Sequence, residues 1–134
     1  MIRPCFIVGD REFPGSISTR KLVIETAKFN VITAYSGHEA VETLARFPAA
    51  NGVVLDSGLE DVDCAEIVRK IKQLQPSIPV ILIAAPGFGG CPQADFILES
   101  FDPGKLLETL RSLKPEDAAA IDRHDEQLSH EKLR

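Results

Sequence analysis

One short run of apolar residues places the tightest limit on the fold of this 134-residue chain. Residues 53–55 (VVL) are apolar without alternation, and Asp56, Ser57 and Gly58 come directly after them. Such a run is typical of a strand that is buried on both faces of a parallel sheet. Functional groups of open parallel sheets collect at the carboxyl ends of the strands. We therefore expect Asp56 at that edge, either as a functional carboxylate or as a cap for the following loop.

Strands and helices alternate along the rest of the chain. Apolar runs predict five strands, at Cys5–Val8, Asn30–Ala34, 53–55, Pro79–Ala85 and Phe96–Leu98. Capping residues followed by apolar residues at helical spacing predict four helices. These begin near Ser16 or Ser18, at the capping box of Ser36 and Glu39, at the similar pair Asp63 and Glu66, and at Asp102–Pro103. Repeated β–α units predict an α/β fold: a three-layer, doubly wound, five-stranded parallel sheet of the flavodoxin-like type, with strand order 2-1-3-4-5.

The connection after the fourth strand breaks this rhythm. Between Ala85 and Phe96 the chain reads PGFGGCPQAD, with three glycines and two prolines in ten residues. Glycine and proline are the residues least compatible with a helix interior. The crossover helix after strand four is therefore predicted to be missing or reduced to a turn. GFGG lacks the Lys-Ser/Thr of a phosphate-binding loop, so we interpret it as a connector.

Composition and charge narrow the function classes. The net charge is −5 and the sequence contains no stripe of Lys and Arg. Binding to nucleic acids or anionic membranes requires a basic surface, so the charge argues against both functions. The apolar residues near the start are too few for a signal peptide or a membrane span, so we expect a cytoplasmic protein. Cys5, Cys64 and Cys91 are odd in number and share no metal-ligand spacing, which predicts reduced thiols.

The end of the chain differs from the rest. Residues 115–134 are mostly charged or polar, with Ile121 and Leu128 one heptad apart. Two interpretations stay open: a frayed tail or linker, and an extended helix that packs on a partner subunit or leads into a further domain. We therefore divide the chain into a domain over residues 1–114 and a charged helical tail or linker over residues 115–134.

Two acidic residues are expected to meet at the carboxyl edge of the sheet. Asp10 and Asp56 follow strands one and three, which are neighbours in the predicted order and flank the topological switch point. Carboxylates that meet there repel each other unless a cation or a proton intervenes. Mg²⁺ takes one or two carboxylates with carbonyl oxygens and waters, and the carbonyl of Gly58 could join them. A carboxylate beside Mg²⁺ can also act as a nucleophile towards phosphorus.

Five segments together resemble the receiver domains of bacterial two-component response regulators. The resemblance covers about Cys5 to Leu113 and rests on FIVGD, ITAYSGHEAVETL, VVLDSG, IVRKIKQLQPSIPVILIAA and FILESFDPGKLLETL. It implies a cytoplasmic phosphorelay signalling protein whose partner is a histidine kinase or another signalling protein, with a second copy of the chain as a further candidate. It also implies that Asp56 is the phosphoacceptor and that Asp10, Asp56 and the Gly58 carbonyl hold Mg²⁺.

The chain departs from the receiver pattern at the residues that sense phosphorylation. A glycine replaces the first acid of the pair after strand one, an alanine replaces the Thr or Ser after strand four, and Glu and Ser replace the Lys and Pro after strand five. The switching aromatic is present but lacks its hydroxyl partner. The degenerate switch positions are Gly9, Ala84, Phe96, Glu99 and Ser100.

These departures weaken the expected phosphoryl site. Each lost charge-assisted contact is worth about 1.5–3 kcal/mol, and the lost hydroxyl contact about 1 kcal/mol. Bound Mg²⁺ is therefore expected to be weak or absent. Arg11 or Lys105 could neutralise Glu99, or Glu99 could become an extra metal ligand.

Three functional hypotheses follow. The first is an atypical receiver that acts through protein contacts and is not an enzyme. The second is a working phosphoacceptor with altered kinetics. The third is a small Mg²⁺-dependent phosphohydrolase that uses Asp10, Asp56 and Glu99 on the same fold. The third lacks an evident general base, because His38, His124 and His130 lie at a helix start and in the tail.

Overall fold

A computed structural model describes residues 3–10, 19–59, 63–88, 90–99, 102–113 and Arg123. The chain forms a five-stranded, all-parallel sheet in the order β2-β1-β3-β4-β5. The predicted fold class and strand order are confirmed. The elements in chain order are β1 (Cys5–Gly9), α1 (Thr19–Thr26), β2 (Asn30–Ala34), α2 (Gly37–Arg46), β3 (Gly52–Asp56), α3 (Cys64–Leu74), β4 (Val80–Ala84), β5 (Phe96–Glu99) and α4 (Pro103–Leu113).

The sheet is covered on both faces because successive residues of each strand point in opposite directions. Ile7, Val53 and Leu82 belong to a buried cluster that includes residues of α2 and α3. Their strand neighbours pack on the other face with residues of α1 and α4. All five residues of β4 are buried, although β3, not β4, is the central strand of the sheet. None of the described helices combines the length and apolarity needed to cross a membrane.

The predicted helix caps are partly confirmed. Ser36 Oγ accepts the N–H of Glu39 at 2.9 Å at the start of α2, and Asp102 Oδ1 accepts the N–H of Lys105 at 3.1 Å at the start of α4. The capping box predicted at Asp63 is wrong, because Asp63 is the N-cap of α3 but its side chain makes no capping hydrogen bond among the described residues.

The loop between β4 and β5 replaces a crossover helix, as predicted. Its described residues, 85–88 and 90–95, form turns and no helix. The first end is held by the N–H of Ala85, which donates to Ser57 Oγ at 2.9 Å. The other end is held by Asp95 Oδ2, which accepts the N–H of Val80 at 2.8 Å and Lys72 Nζ at 2.7 Å.

A disulfide between Cys64 and Cys91 ties the middle of this loop to the start of α3. The Cα atoms are 6.3 Å apart, within the range that a disulfide spans. The expectation of reduced thiols is therefore wrong for these two residues, and the third, Cys5, is free. Sequence spacing could not show the pairing, because the loop brings Cys91 back over α3 only once the crossover helix is replaced.

The charge on Asp95 is expected to stabilise the fold in a pH-dependent way. Partial burial alone would raise the pKa of Asp95, but the hydrogen bonds from Lys72 and Val80 outweigh it and hold the pKa below the ordinary value of 3.8. A carboxylate with a lowered folded pKa stabilises the protein at neutral pH and loses this contribution as the pH falls through that value. We expect Asp95→Asn to lower the free energy of unfolding near neutral pH, and the deficit to shrink below about pH 4.

Urea unfolding of both proteins at neutral and acidic pH measures this difference. Asparagine can still accept the N–H of Val80, so the variant isolates the charge. Glu66→Gln is the matched control, because Glu66 forms an exposed i,i+4 pair with Lys70 and such pairs contribute little. A deficit that stays the same at acidic pH would contradict the role of the charge.

Candidate functional site

Parallel pairing brings Asp10 and Asp56 to the same edge of the sheet. The register of β1 and β3 places Gly9 opposite Leu55, so Asp10 and Asp56 are the next residues on adjacent strands. The N–H of Asp10 donates to Ala34 O at 2.9 Å, which continues the pairing of β1 with β2 by one residue. The predicted juxtaposition of the two acids is present, although it does not test their chemical roles.

The guanidinium of Arg20 lies between the two carboxylates. Arg20 Nη1 donates to Asp10 Oδ1 at 3.1 Å and also to Asp56 Oδ2. The two acids therefore approach within two hydrogen-bond lengths of each other. The three side chains are only 15%, 10% and 19% exposed for Arg20, Asp10 and Asp56, so water screens the charges weakly. One positive charge between two negative ones reduces the repulsion that the sheet imposes.

The second oxygen of Asp56 is held by the loop that follows. Asp56 Oδ1 accepts the N–H of Gly58 at 2.6 Å, which is an Asx turn. Ser57 joins this turn to β4, because its N–H donates to Ile83 O at 3.0 Å and its Oγ accepts the N–H of Ala85. Asp56 therefore caps the loop that follows it, which is one of the two alternatives expected for this residue.

Comparison with known proteins identifies the fold. No protein-family model matches the chain. The transcriptional regulatory protein GlrR of Escherichia coli (strain K12) is 24% identical over 129 residues, which cover 90% of this chain but only 28% of GlrR. A response regulator receiver domain protein from Clostridium thermocellum superposes with a TM-score of 0.67 at 18% identity, covering 93% of this chain and 98% of that one. The fold is that of a response regulator receiver domain.

A second receiver structure contains a metal ion. The receiver domain of a sensor histidine kinase from Pseudomonas aeruginosa PAO1 superposes with a TM-score of 0.72 at 16% identity, covering 84% of this chain and 98% of that one. Its active-site cleft coordinates a magnesium ion. The corresponding question here is whether the residues at the carboxyl edge of the sheet fit such an ion.

The arrangement of Arg20 does not fit Mg²⁺ between Asp10 and Asp56. The two carboxylates are suitable oxygen ligands, but a guanidinium is a donor only and carries a permanent positive charge. Among the described residues, no group of three or more His, Cys, Asp or Glu could hold a metal ion. In this conformation Arg20 supplies the positive charge that a divalent ion would otherwise supply.

Packing leaves little room for a side chain at Gly9, where receiver domains carry the first acid of the pair. A Cβ atom built on Gly9 would lie 3.0 Å from Leu55 Cδ2 and 3.3 Å from Leu59 Cδ1, so the ends of both leucine side chains would have to shift by a few tenths of an ångström. Leu55 and Leu59 are buried, so an acid at position 9 would point its carboxylate into an apolar cluster. Gly9 therefore lies against the hydrophobic core of this fold.

The other degenerate positions are only partly described. Ala84 is 7% exposed and lines a cleft of about 210 Å³ with Arg20 and Asp56, so the position faces the site without a hydroxyl. Phe96 begins β5 and is 37% exposed. The side chain of Glu99 lies outside the described part of the chain, as does Ser100.

The positive group at the site is Arg20, and it is neither of the two residues, Arg11 and Lys105, that the sequence suggested as a source of positive charge. Arg11 lies outside the described residues, and Lys105 is exposed on α4 with no described ion pair to either acid. Arg20 was missed because the apolar residues of its helix fit a helical face only loosely and left the helix start uncertain. The usable signal was topological: α1 follows β1, so its first turn lies above the carboxyl edge of the sheet.

We expect an acid introduced at position 9 to destabilise the protein. Gly9→Asp adds a buried, unpaired carboxylate and overpacks Leu55 and Leu59, which should lower the free energy of unfolding by about 2–4 kcal/mol. Gly9→Ala adds the Cβ alone and should cost less, about 1 kcal/mol. Chemical denaturation measures both. A Gly9→Asp protein as stable as the wild type would show that the position tolerates the usual acidic pair.

We also expect Arg20 to suppress Mg²⁺ binding. Arg20→Gln leaves Asp10 and Asp56 without the bridging cation, so Mg²⁺ affinity should rise about tenfold or more, the equivalent of one contact of about 1.4 kcal/mol. Titration followed by the amide resonances of residues 56–58 measures the affinity. Arg20→Lys keeps the charge and should stay weak, and Arg46→Gln removes a distant charge as the control. Equal affinities for the wild type and Arg20→Gln would contradict this role.

Proposed function

We propose that residues 1–114 form the receiver domain of an atypical response regulator in cytoplasmic two-component signal transduction. Residues 115–134 form its tail or linker in this proposal. Asp56 occupies the phosphoacceptor position but takes up a phosphoryl group weakly or not at all. The observation that carries the proposal is the guanidinium of Arg20, which contacts both Asp10 and Asp56.

Arg20 opposes phosphorylation in two ways. Both oxygens of Asp56 accept hydrogen bonds, from Arg20 and from Gly58, so an attack on phosphorus must first break one of them. The guanidinium of Arg20 is also already paired with Asp10 and Asp56. Mg²⁺ must therefore displace it before the metal can offset the charge of an incoming phosphoryl group.

The replaced switch residues act in the same direction. Ala84 offers no hydroxyl to a phosphoryl oxygen at a position that faces the site. Glu99 replaces the lysine that pairs with the phosphoryl group in the proteins that the sequence resembles. Without these two contacts, an acyl phosphate on Asp56 has less stabilisation and no hydroxyl to report its presence to Phe96.

Exposed apolar side chains support a role through protein contacts. Phe88 in the β4–β5 loop is 36% exposed, and Phe96 and Ile97 on the edge strand β5 are 37% and 43% exposed. Exposed apolar side chains of this size are available for contact with another protein. We propose a histidine kinase or another signalling protein as the partner, or a second copy of the chain, and neither nucleic acid nor membrane for this domain.

A working phosphoacceptor is the second candidate function. The close approach of Asp10 and Asp56 favours it, because a rearrangement of Arg20 alone would leave two adjacent carboxylates for Mg²⁺. The two candidates differ in whether the wild-type protein is labelled at Asp56.

We expect wild-type protein treated with acetyl phosphate and Mg²⁺ to gain little or no phosphoryl mass. The double variant Ala84→Thr with Glu99→Lys restores one hydroxyl contact and one charge-assisted contact, together worth about 2.5–4 kcal/mol, and should be labelled detectably. Intact-protein mass spectrometry measures the labelled fraction.

Asp56→Asn in the double-variant background is the matched control and should abolish the added mass. Near-complete labelling of the wild type that Asp56→Asn removes would establish the working phosphoacceptor instead. Turnover of a generic phosphoester with Mg²⁺, lost in Asp56→Asn, would establish the phosphohydrolase.

A further inference from the structure

The Cys64–Cys91 disulfide lies beside the acidic site without taking part in it. Cys64 is half-buried at the start of α3 and lines a cleft of about 360 Å³ that also contains Asp56, Ser57 and Phe88. Cys91 is 2% exposed and belongs to the core cluster on the α2–α3 face. Cys64 thus borders the cleft, and Cys91 anchors the loop in the core.

The disulfide is the covalent anchor of a loop that packs weakly elsewhere. Gly87 and Gly90 have φ angles of +82° and +97°, and a side chain at either would meet only open space. Phe88, between them, is exposed and lines the Asp56 cleft. Between the hydrogen-bonded ends at Ala85 and Asp95, Cys91 is the described loop residue that is buried in the core.

We propose that Cys64–Cys91 is a reversible thiol–disulfide exchange site, and that a dithiol reductant opens it and thereby releases the loop wall of the Asp56 cleft. A thiolate of the dithiol attacks Cys64 Sγ from the cleft, the bond to Cys91 Sγ breaks, and Cys91 leaves as a thiolate that takes up a proton. The second thiol of the reductant then attacks the mixed disulfide and frees Cys64. The protein disulfide gains two electrons and two protons, and the dithiol becomes a disulfide.

The third cysteine supplies an internal control. Cys5 begins β1, at the edge of the sheet opposite to Asp10 and Asp56, and is the free thiol of the chain. Burial raises the pKa of the Cys5 thiol, which lowers its thiolate fraction and therefore its reactivity. Only the effect on Asp56 chemistry rests on the proposed function, whereas the exchange itself does not.

The first test measures the thiols and the loop. Air-oxidised protein should show one free thiol by alkylation and mass spectrometry, and three after treatment with dithiothreitol under native conditions. Amide hydrogen exchange at the described loop residues 86–88 and 90–94 should then accelerate about tenfold, while β1 and β3 stay protected. Three free thiols before treatment, a disulfide that resists native reduction, or unchanged loop exchange would each overturn the proposal.

Variants separate the disulfide from other effects of the reductant. Cys64→Ser with Cys91→Ser should show the fast loop exchange with and without dithiothreitol, and Cys5→Ser should behave as the wild type does. If the double variant folds poorly, Cys64→Ser alone also removes the disulfide and should show the same fast loop exchange. A redox response that persists in the double variant, or that disappears in Cys5→Ser, would overturn the assignment.

The second test measures the link to Asp56. In the Ala84→Thr, Glu99→Lys background, the rate of labelling by acetyl phosphate should differ severalfold between oxidised and reduced protein. Equal rates with a changed loop exchange would overturn the coupling between the disulfide and the cleft. If the wild type proves fully phosphorylatable, the proposed function fails, but the same comparison made on the wild type still decides the coupling, and the first test still decides the exchange site.

Discussion

The parallel pairing of β1 with β3 is the constraint on which the site depends. Once the strands pair in parallel, the residue after each strand must emerge at the same edge, and in this chain both residues are aspartates. The apolar packing that fixes the register is far stronger than the repulsion between two carboxylates, so the sheet forms and the charges must be compensated where they meet. Arg20, from the first turn of α1, supplies that compensation.

A tethered guanidinium differs from a bound ion in its consequences. A divalent ion comes and goes with its concentration and leaves room for a phosphoryl group, whereas a side chain on α1 remains at high effective concentration. The packing of Leu55 and Leu59 around Gly9 points the same way, because it crowds the position at which an additional acid would strengthen metal binding. The chain thus has the fold of a receiver domain, while the two carboxylates at the edge of its sheet are neutralised in part by a side chain of the same protein.

Much of this could be predicted from the sequence, and the limits have physical causes. Uninterrupted apolar runs and prolines located the five strands, and the glycine-rich segment after Ala85 predicted the missing crossover helix. The helical pattern also favoured Ala45 and Phe47 as core residues, but both are exposed at the end of α2, where the helix stops. Arg20 and the Cys64–Cys91 pair were missed because both depend on which chain segments meet in space.

Asp56 lines two clefts, one formed with Arg20 and the other with the loop between β4 and β5. On one side, Arg20 and Ala84 line a cleft where a cation and a hydroxyl would serve phosphotransfer in an ordinary receiver. On the other, the loop that replaces the crossover helix lines a second cleft with Phe88 and the disulfide. The disulfide joins this loop to α3 on the α2–α3 side of the core, and such a link stabilises a fold chiefly by constraining the unfolded chain. Because Cys64 lines the same cleft as Asp56, the bond that anchors the loop also lies beside this carboxylate.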